Sequence, residues 1–320
     1  MNRPTDFNGP LAAFMADFIA HKRMQGYVYH TQAESLKLFD RFMVSGDCSG
    51  NTLRGEVFSR YQASLAGLSP GTREGYLSAA RQFSRYLQAL HPESAVMPIK
   101  MEPRYTRPVR FYRITPEQIW KLMEAARDLR MRHPVAPRAV RFLIGLLYST
   151  GLRISEALQL NLGDVDTERG TLYIRRGKFA KDRLVSLSPS AAEALGRWLR
   201  LRSRYASTAL SAPLLPGGGN GRLTYGQSRA AFRTLCRRCG LHGDPPPRLH
   251  DLRHNFACCC ITRWRRTGKD VQALLPVLAG AMGHVSIFST QFYVHLDAAE
   301  LRTASTRLKN YFIQNKEHSS

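Results

Sequence analysis

Six side chains have the types and order needed to move a phosphoryl group. They are Arg153 in Thr-Gly-Leu-Arg, Lys178 in a basic run, His250 and Arg253 in His-Asp-Leu-Arg, His284 after Gly283, and Tyr293 nine residues further on. A transferring phosphodiester spreads negative charge over its equatorial oxygens, so two preorganised guanidinium groups stabilise the transition state more than the ground state. Arg153 and Arg253 meet that demand. A tyrosine holds its proton to a pKa of about 10 in water, so attack by Tyr293 at neutral pH needs a base or strong local positive charge. His250 sits three residues before Arg253, which puts the two on one face if the segment is helical. His250 is therefore the expected base, with His254 competing from the same His-Asp-Leu-Arg-His box. Glu156 and Asp164 lack a third acidic partner for a metal and read as structural, Glu156 as a buttress for an arginine. The set points to transfer without metal or cofactor.

Other chemistries find less support. There is no HExxH and no GxGxxG after a strand, and Gly177-Lys178 is followed by Phe179 rather than Ser or Thr, so a nucleotide-driven motor is disfavoured. Cys236-x2-Cys239 followed by His250-x3-His254 approaches zinc-finger spacing, but Gly240, Gly243 and Pro245-Pro246-Pro247 break the helix a finger needs there. The triplet Cys258, Cys259, Cys260 follows Phe256-Ala257 and reads as core packing. Taken singly, each candidate has an ordinary reading. Arg153 could be a cation at a helix end, Lys178 shares its run with Arg175, Arg176 and Lys181, His284 could be a cap, and Tyr293 beside Phe292 could be core.

The elements that must position these residues can be read from periodicity and caps. Apolar residues recur at helical spacing at Leu11, Phe14, Met15, Phe18, Ile19 and again at Tyr76, Ala80, Phe83, Leu87, Leu90. Breaks at Ser45-Gly46, at 67–71 and at His91-Pro92 divide residues 1–98 into four amphipathic helices, a small bundle. Residues 99–113, rich in proline and basic residues without an apolar period, form an extended linker. A second domain, 114–320, opens at Thr115-Pro116-Glu117-Gln118 with the signature of a capping box and proline at the first helical position. Residues 139–148 are apolar nearly all round but too few to span a bilayer, so they predict a buried helix ending at Gly151. Residues 171–174 and 183–187 have strand composition and flank a polar basic stretch, 175–182, which predicts a β-hairpin with a basic tip. Ser188-Pro189, Thr224-x2-Gln227 and Asp297-x2-Glu300 start later helices, and 213–221 and 243–247 are loops. The fold class is mainly α with a small antiparallel β-sheet.

Charge narrows the partner. Lys and Arg number 47 against 24 Asp and Glu, a formal charge of +23, which favours a polyanion over an acidic small molecule. No apolar run reaches spanning length and the start has no signal-peptide core, so a membrane partner is not expected and the cytoplasm is. Six cysteines are too few and too clustered for a disulfide framework and are expected to be reduced thiols.

Four boxes in order, Gly-Leu-Arg-Ile-Ser-Glu at 151–156, Gly-Lys at 177–178 before a second strand, His-Asp-Leu-Arg-His at 250–254, and Gly283-His284 with Tyr293, resemble the tyrosine recombinase, or phage integrase, family. The resemblance covers residues from about 114 to 311, and the helical region before it is similar to that family's core-binding, DNA-binding domain. It implies a site-specific recombinase that cuts and rejoins double-stranded DNA through a 3′-phosphotyrosyl bond on Tyr293, without ATP. It selects Lys178 within its run, as the group that protonates the leaving 5′ oxygen, and makes His284 a further donor to the phosphate. It also implies a homotetramer on DNA, with the helix expected at 297–312 docking on a neighbouring subunit or else packing back on its own domain, and does not decide whether other recombinases act beside it. The stretch between His250 and His284 is longer than is usual in the family, and the segment ending at Leu296 resembles recombinases carried by transposable elements. Relaxation in the manner of a type IB topoisomerase and a catalytically inert DNA-binding regulator are the competing readings.

Overall fold

The computed structural model describes residues 7–46, 50–98, 111–175, 182–218, 221–283, 290 and 293. The chain forms two compact units, Met1–Pro108 and Val109–Ser320. The first carries the four expected helices, α1 (Ala12–Met24), α2 (His30–Ser45), α3 (Gly55–Ser64) and α4 (Pro70–Leu90). The α4 helix starts where Ser69 accepts a hydrogen bond from the Thr72 amide and Pro70 occupies the first turn, whose amides have no helical partner in any case. Met15, Phe18 and Ile19 of α1 meet Leu36 and Phe39 of α2, Phe58 and Tyr61 of α3 and Phe83 and Leu87 of α4 in one apolar core. The face of α4 is rotated slightly from the expected stripe. Leu77 is buried in place of Tyr76, and Leu90, in the last turn of the helix, is exposed.

The second unit is helical around a small sheet. Its first helix, α5 (Pro116–Ala125), has the expected capping box, with the Gln118 amide donating to Thr115 and the Thr115 amide to the Gln118 side chain. The expected buried helix is α6 (Val135–Thr150), which packs against α5, α8 (Pro189–Arg202), α9 (Tyr225–Arg238) and α10 (Leu249–Arg266). A short helix, α7 (Ile154–Gln159), follows α6, and α11 (Val271–Met282) follows α10. The hairpin strands are β2 (Thr171–Ile174) and β3 (Arg183–Ser186), paired antiparallel with Leu172 opposite Val185 and Ile174 opposite Arg183. A third strand, β1 (Val165–Asp166), pairs with β2. The stretch 213–221, expected as loop, contributes β4 (Pro216–Gly218) to a second two-stranded sheet with β5 (Gly221–Arg222). Glycine-rich composition hid that pairing, because its backbone bonds need no apolar alternation.

Some of the basic surplus is internal. Arg202 is buried and donates to the carbonyls of Ser207 and Pro213, while Arg222 donates to those of Leu158 and Leu160 and to the Asn161 side chain. These guanidinium groups serve carbonyls at the end of α7 and in the loop after α8.

Gly151 ends α6 in the left-handed region at φ +63°, and a Cβ there would lie 2.3 Å from Cδ1 of Phe256 on α10. Gly151→Ala therefore combines left-handed strain with a steric overlap, a cost on the order of 3 kcal/mol. Thermal unfolding should show that loss in the single variant. Adding Phe256→Ala should recover the steric part of it, so that the two substitutions couple favourably.

Candidate active site

The sharp turn at Gly151 delivers Arg153 to the start of α7, and the first turn of α7 folds onto its own guanidinium. Glu156 accepts from the Arg153 amide at 2.9 Å and from Arg153 Nη1 at 2.7 Å. Arg183, the first residue of β3, reaches the same carboxylate with both terminal nitrogens, at 3.0 and 2.7 Å. Burial pushes the Glu156 carboxyl upward, but the hydrogen bonds from Arg183 and Arg153 outweigh it and hold the group below its ordinary value.

Both arginines also grip the end of α11. Arg183 Nε donates to Ala281 O at 3.1 Å and Arg153 Nη2 to Gly283 O at 2.6 Å, so two cations meet the negative pole of that helix. Gly283 lies at φ +65°, and a Cβ there would stand 2.8 Å from the Arg183 guanidinium. Glycine is thus what lets the arginines approach the backbone.

Arg253 enters from α10 and is 2% exposed. Its Nη1 donates to Gly151 O at 2.7 Å, and its Nη2, also buried, has no hydrogen-bond partner among the described residues. Burial and the nearby Arg153 lower its pKa to about 10, so it remains a cation at neutral pH. Three guanidinium groups thus surround one carboxylate, which leaves the site strongly positive and suited to an anion.

The histidines flank this corner on the same helix. His250 is exposed, and its pKa is lowered by partial desolvation and by Arg253, so the ring is neutral at pH 7. His254 lies one turn later, with its ring edge-on to His250 at 4.7 Å and stacked on Phe111 at 5.0 Å. Its Nδ1 is 2.7 Å from the Tyr293 hydroxyl. Tyr293 is 3% exposed and packs with Cys258, Ile261, Leu275, Leu278 and Met282. Burial pushes its phenol up to about 12, against the opposing pull of Arg253. Asn255 pins α10 by accepting from the Ile114 amide and donating to the carbonyls of Tyr112 and Asp251.

Residues 112–300 match the phage integrase family. Over 301 residues the chain is 32% identical to a Sinorhizobium fredii protein described as an integrase/recombinase, y4rB, covering 92% of this chain and 95% of that one. The chain belongs to the phage integrase family of tyrosine recombinases. It is also 31% identical over 259 residues to the tyrosine recombinase XerC of Pelotomaculum thermopropionicum, covering 77% of this chain and 78% of the relative. Among solved structures, the fold is shared with XerH recombinase bound to palindromic difH substrate in a post-cleavage complex. That likeness has a TM-score of 0.66 and 23% identity, and covers 87% of this chain and 79% of that one. The chain is a tyrosine-type site-specific recombinase.

Of the six residues singled out in this recombinase, the fold brings Arg153, His250, Arg253 and Tyr293 to one corner, while Lys178 and His284 lie outside the described residues. The hydrogen bond described at the Tyr293 hydroxyl is shared with His254 Nδ1, whereas the base expected from sequence was His250. Arg183 was missed. Its only signal was the carboxylate of Glu156, which needs more than one cation once buried. The cysteine triplet is only partly core, since Cys258 is buried, Cys260 half-buried and Cys259 exposed with Sγ 3.6 Å from the Tyr148 hydroxyl. Cys236 is buried in the main core, which pushes its thiol up to about 12 and makes it a poor metal ligand. Among the described residues no group of three or more His, Cys, Asp or Glu could hold a metal ion, and no helix is long and apolar enough to cross a membrane.

Glu156→Gln removes the charge that both Arg153 and Arg183 face, so it should destabilise the protein by roughly 3 kcal/mol at pH 7. Because the folded state holds this carboxyl below its ordinary 4.5, its contribution is complete above that pH and is lost as pH falls further. Denaturant titrations should therefore show wild-type stability falling more steeply than that of the variant on acidification through this range.

Proposed function

We propose that this recombinase cuts and rejoins double-stranded DNA by attack of Tyr293 on a backbone phosphodiester, forming a 3′-phosphotyrosyl bond and releasing a 5′ hydroxyl. The observation that carries this reading is the buried, unneutralised guanidinium of Arg253 beside Arg153 and Tyr293, a cationic corner whose natural occupant is a phosphate. The two arginines clamp the phosphate, and charge developing on its oxygens meets donors already in place. Lys178 protonates the leaving 5′ oxygen and His284 donates to the phosphate, roles that follow from their positions in the family's boxes. Linking the phosphate to Tyr293 conserves bond energy, so a different 5′ hydroxyl can release the tyrosine without ATP, metal or cofactor.

The helical first unit acts as the core-binding domain. Two copies act on each of two sites, so the working assembly is a homotetramer on DNA, alone or beside sister recombinases. XerH in complex with difH and the Tn1549 transposon integrase in complex with transposon end DNA share the fold and support a DNA substrate, and the transposon enzyme supports a place on a mobile element.

Plasmid carrying the DNA that flanks the gene, mixed with protein and quenched with detergent, should yield a covalent protein–DNA adduct with wild type and none with Tyr293→Phe. Adduct from both would place the nucleophile elsewhere. DNA affinity should also fall steeply between about 50 and 200 mM salt, by a factor on the order of 10³ if six or more phosphates are neutralised. A flat response would count against a duplex substrate.

A further inference from the structure

His254 is placed where the reaction most needs help. A buried phenol loses its proton reluctantly, and at neutral pH Tyr293 arrives at the phosphate still protonated. With the proton of the imidazole on Nε2, the Tyr293 hydroxyl donates to Nδ1 across the 2.7 Å contact. The ring is held in place by Phe111 stacked on one face, by the edge of His250, and by its seat on α10 next to Arg253. His250, in contrast, is open to solvent.

We propose that His254 is the proton acceptor for Tyr293. This rests on the phosphotyrosyl reading above and changes its assignment of the base. As the Oη–P bond forms and the P–O5′ bond breaks, the phenolic proton passes to His254 Nδ1, while the leaving 5′ oxygen takes its proton from Lys178. His254 keeps its proton through the life of the covalent intermediate. When an incoming 5′ hydroxyl attacks phosphorus, Tyr293 departs as the phenolate and recovers the proton from His254, and the hydroxyl proton passes to Lys178. One proton is thus stored and returned, and each half-reaction balances.

The groups around the pair, among the described residues, permit this. On α10 they are His250, Arg253 and Cys258. On α11 the neighbours Leu275, Leu278 and Met282 are apolar, and Phe111 offers an uncharged ring. An imidazolium beside Arg253 is tolerable only while the phosphate occupies the arginine corner, which couples proton transfer to the presence of DNA.

The test measures adduct formation against time over about pH 6 to 9 for wild type, His254→Asn, and His254→Ala with and without added imidazole. It uses both an ordinary substrate and one with sulfur in place of the bridging 5′ oxygen, whose departure needs no acid. Asparagine can still accept the hydrogen bond but cannot take the proton. His254→Asn should bind DNA normally, form adduct roughly 10²-fold more slowly at pH 7, and speed up about tenfold per pH unit as phenolate accumulates. Imidazole should partly restore His254→Ala, and the sulfur substrate should rescue neither variant. Asparagine with the wild-type rate and profile would overturn the proposal. So would rescue by sulfur, which would put His254 on the leaving-group side, or a faster rate, which would make the bond a latch on Tyr293. Tyr293→Phe in the same assay reports separately on the nucleophile. Adduct from that variant would refute the phosphotyrosyl reading itself.

Discussion

Arg253 is a cation in the protein interior, and much of the catalytic unit is arranged around keeping it there. An isolated buried charge costs several kcal/mol, and one hydrogen bond to Gly151 O offsets only part of that. The carbonyl is available because Gly151 turns the chain into the left-handed region at the end of α6, and the glycine is required because Phe256 leaves no space for a side chain. Glu156 supplies the nearest negative charge but is already shared by Arg153 and Arg183. The unit is thus folded with an excess of positive charge at one corner, a setting that suits an anion. Donors that exist before the ligand arrives need no reorganisation at the moment of reaction.

Arg183 and Arg153 also hold the end of the helix that precedes Tyr293. Their hydrogen bonds to the carbonyls of Ala281 and Gly283 fix the last turn of α11 against the cationic corner. Tyr293 then packs in a small apolar cluster with α10 and α11, distinct from the main core around α6. Burial in that cluster raises the phenol pKa, while Arg253 works in the opposite sense at its edge. At neutral pH the buried Tyr293 phenol therefore keeps its proton.

Overall charge is a blunter guide than these contacts. The surplus of +23 pointed towards a polyanion, yet Arg202 and Arg222 serve loop carbonyls inside the fold, and Arg183 serves Glu156. What distinguishes Arg253 from these is that one of its terminal nitrogens is buried without a partner among the described residues.

Local signals decided much of this in advance. Caps at Ser69, Thr115, Ser188 and Thr224, the apolar run of α6 and the alternation in β2 each depend on a few neighbouring residues, so they are visible along the chain. The four ordered boxes likewise marked Arg153, His250, Arg253 and Tyr293 as a set. Three things were decided only by tertiary structure. Arg183 meets Glu156 across 27 positions of sequence, through the return of a hairpin. The β4–β5 pairing rests on backbone bonds that glycine leaves without a side-chain pattern. The choice between His250 and His254 at the Tyr293 hydroxyl depends on a bond spanning 39 positions. Sequence spacing placed both histidines near Arg253 on one helix, but only the packing of the Tyr293 side chain against α10 and α11 decides which ring its oxygen meets.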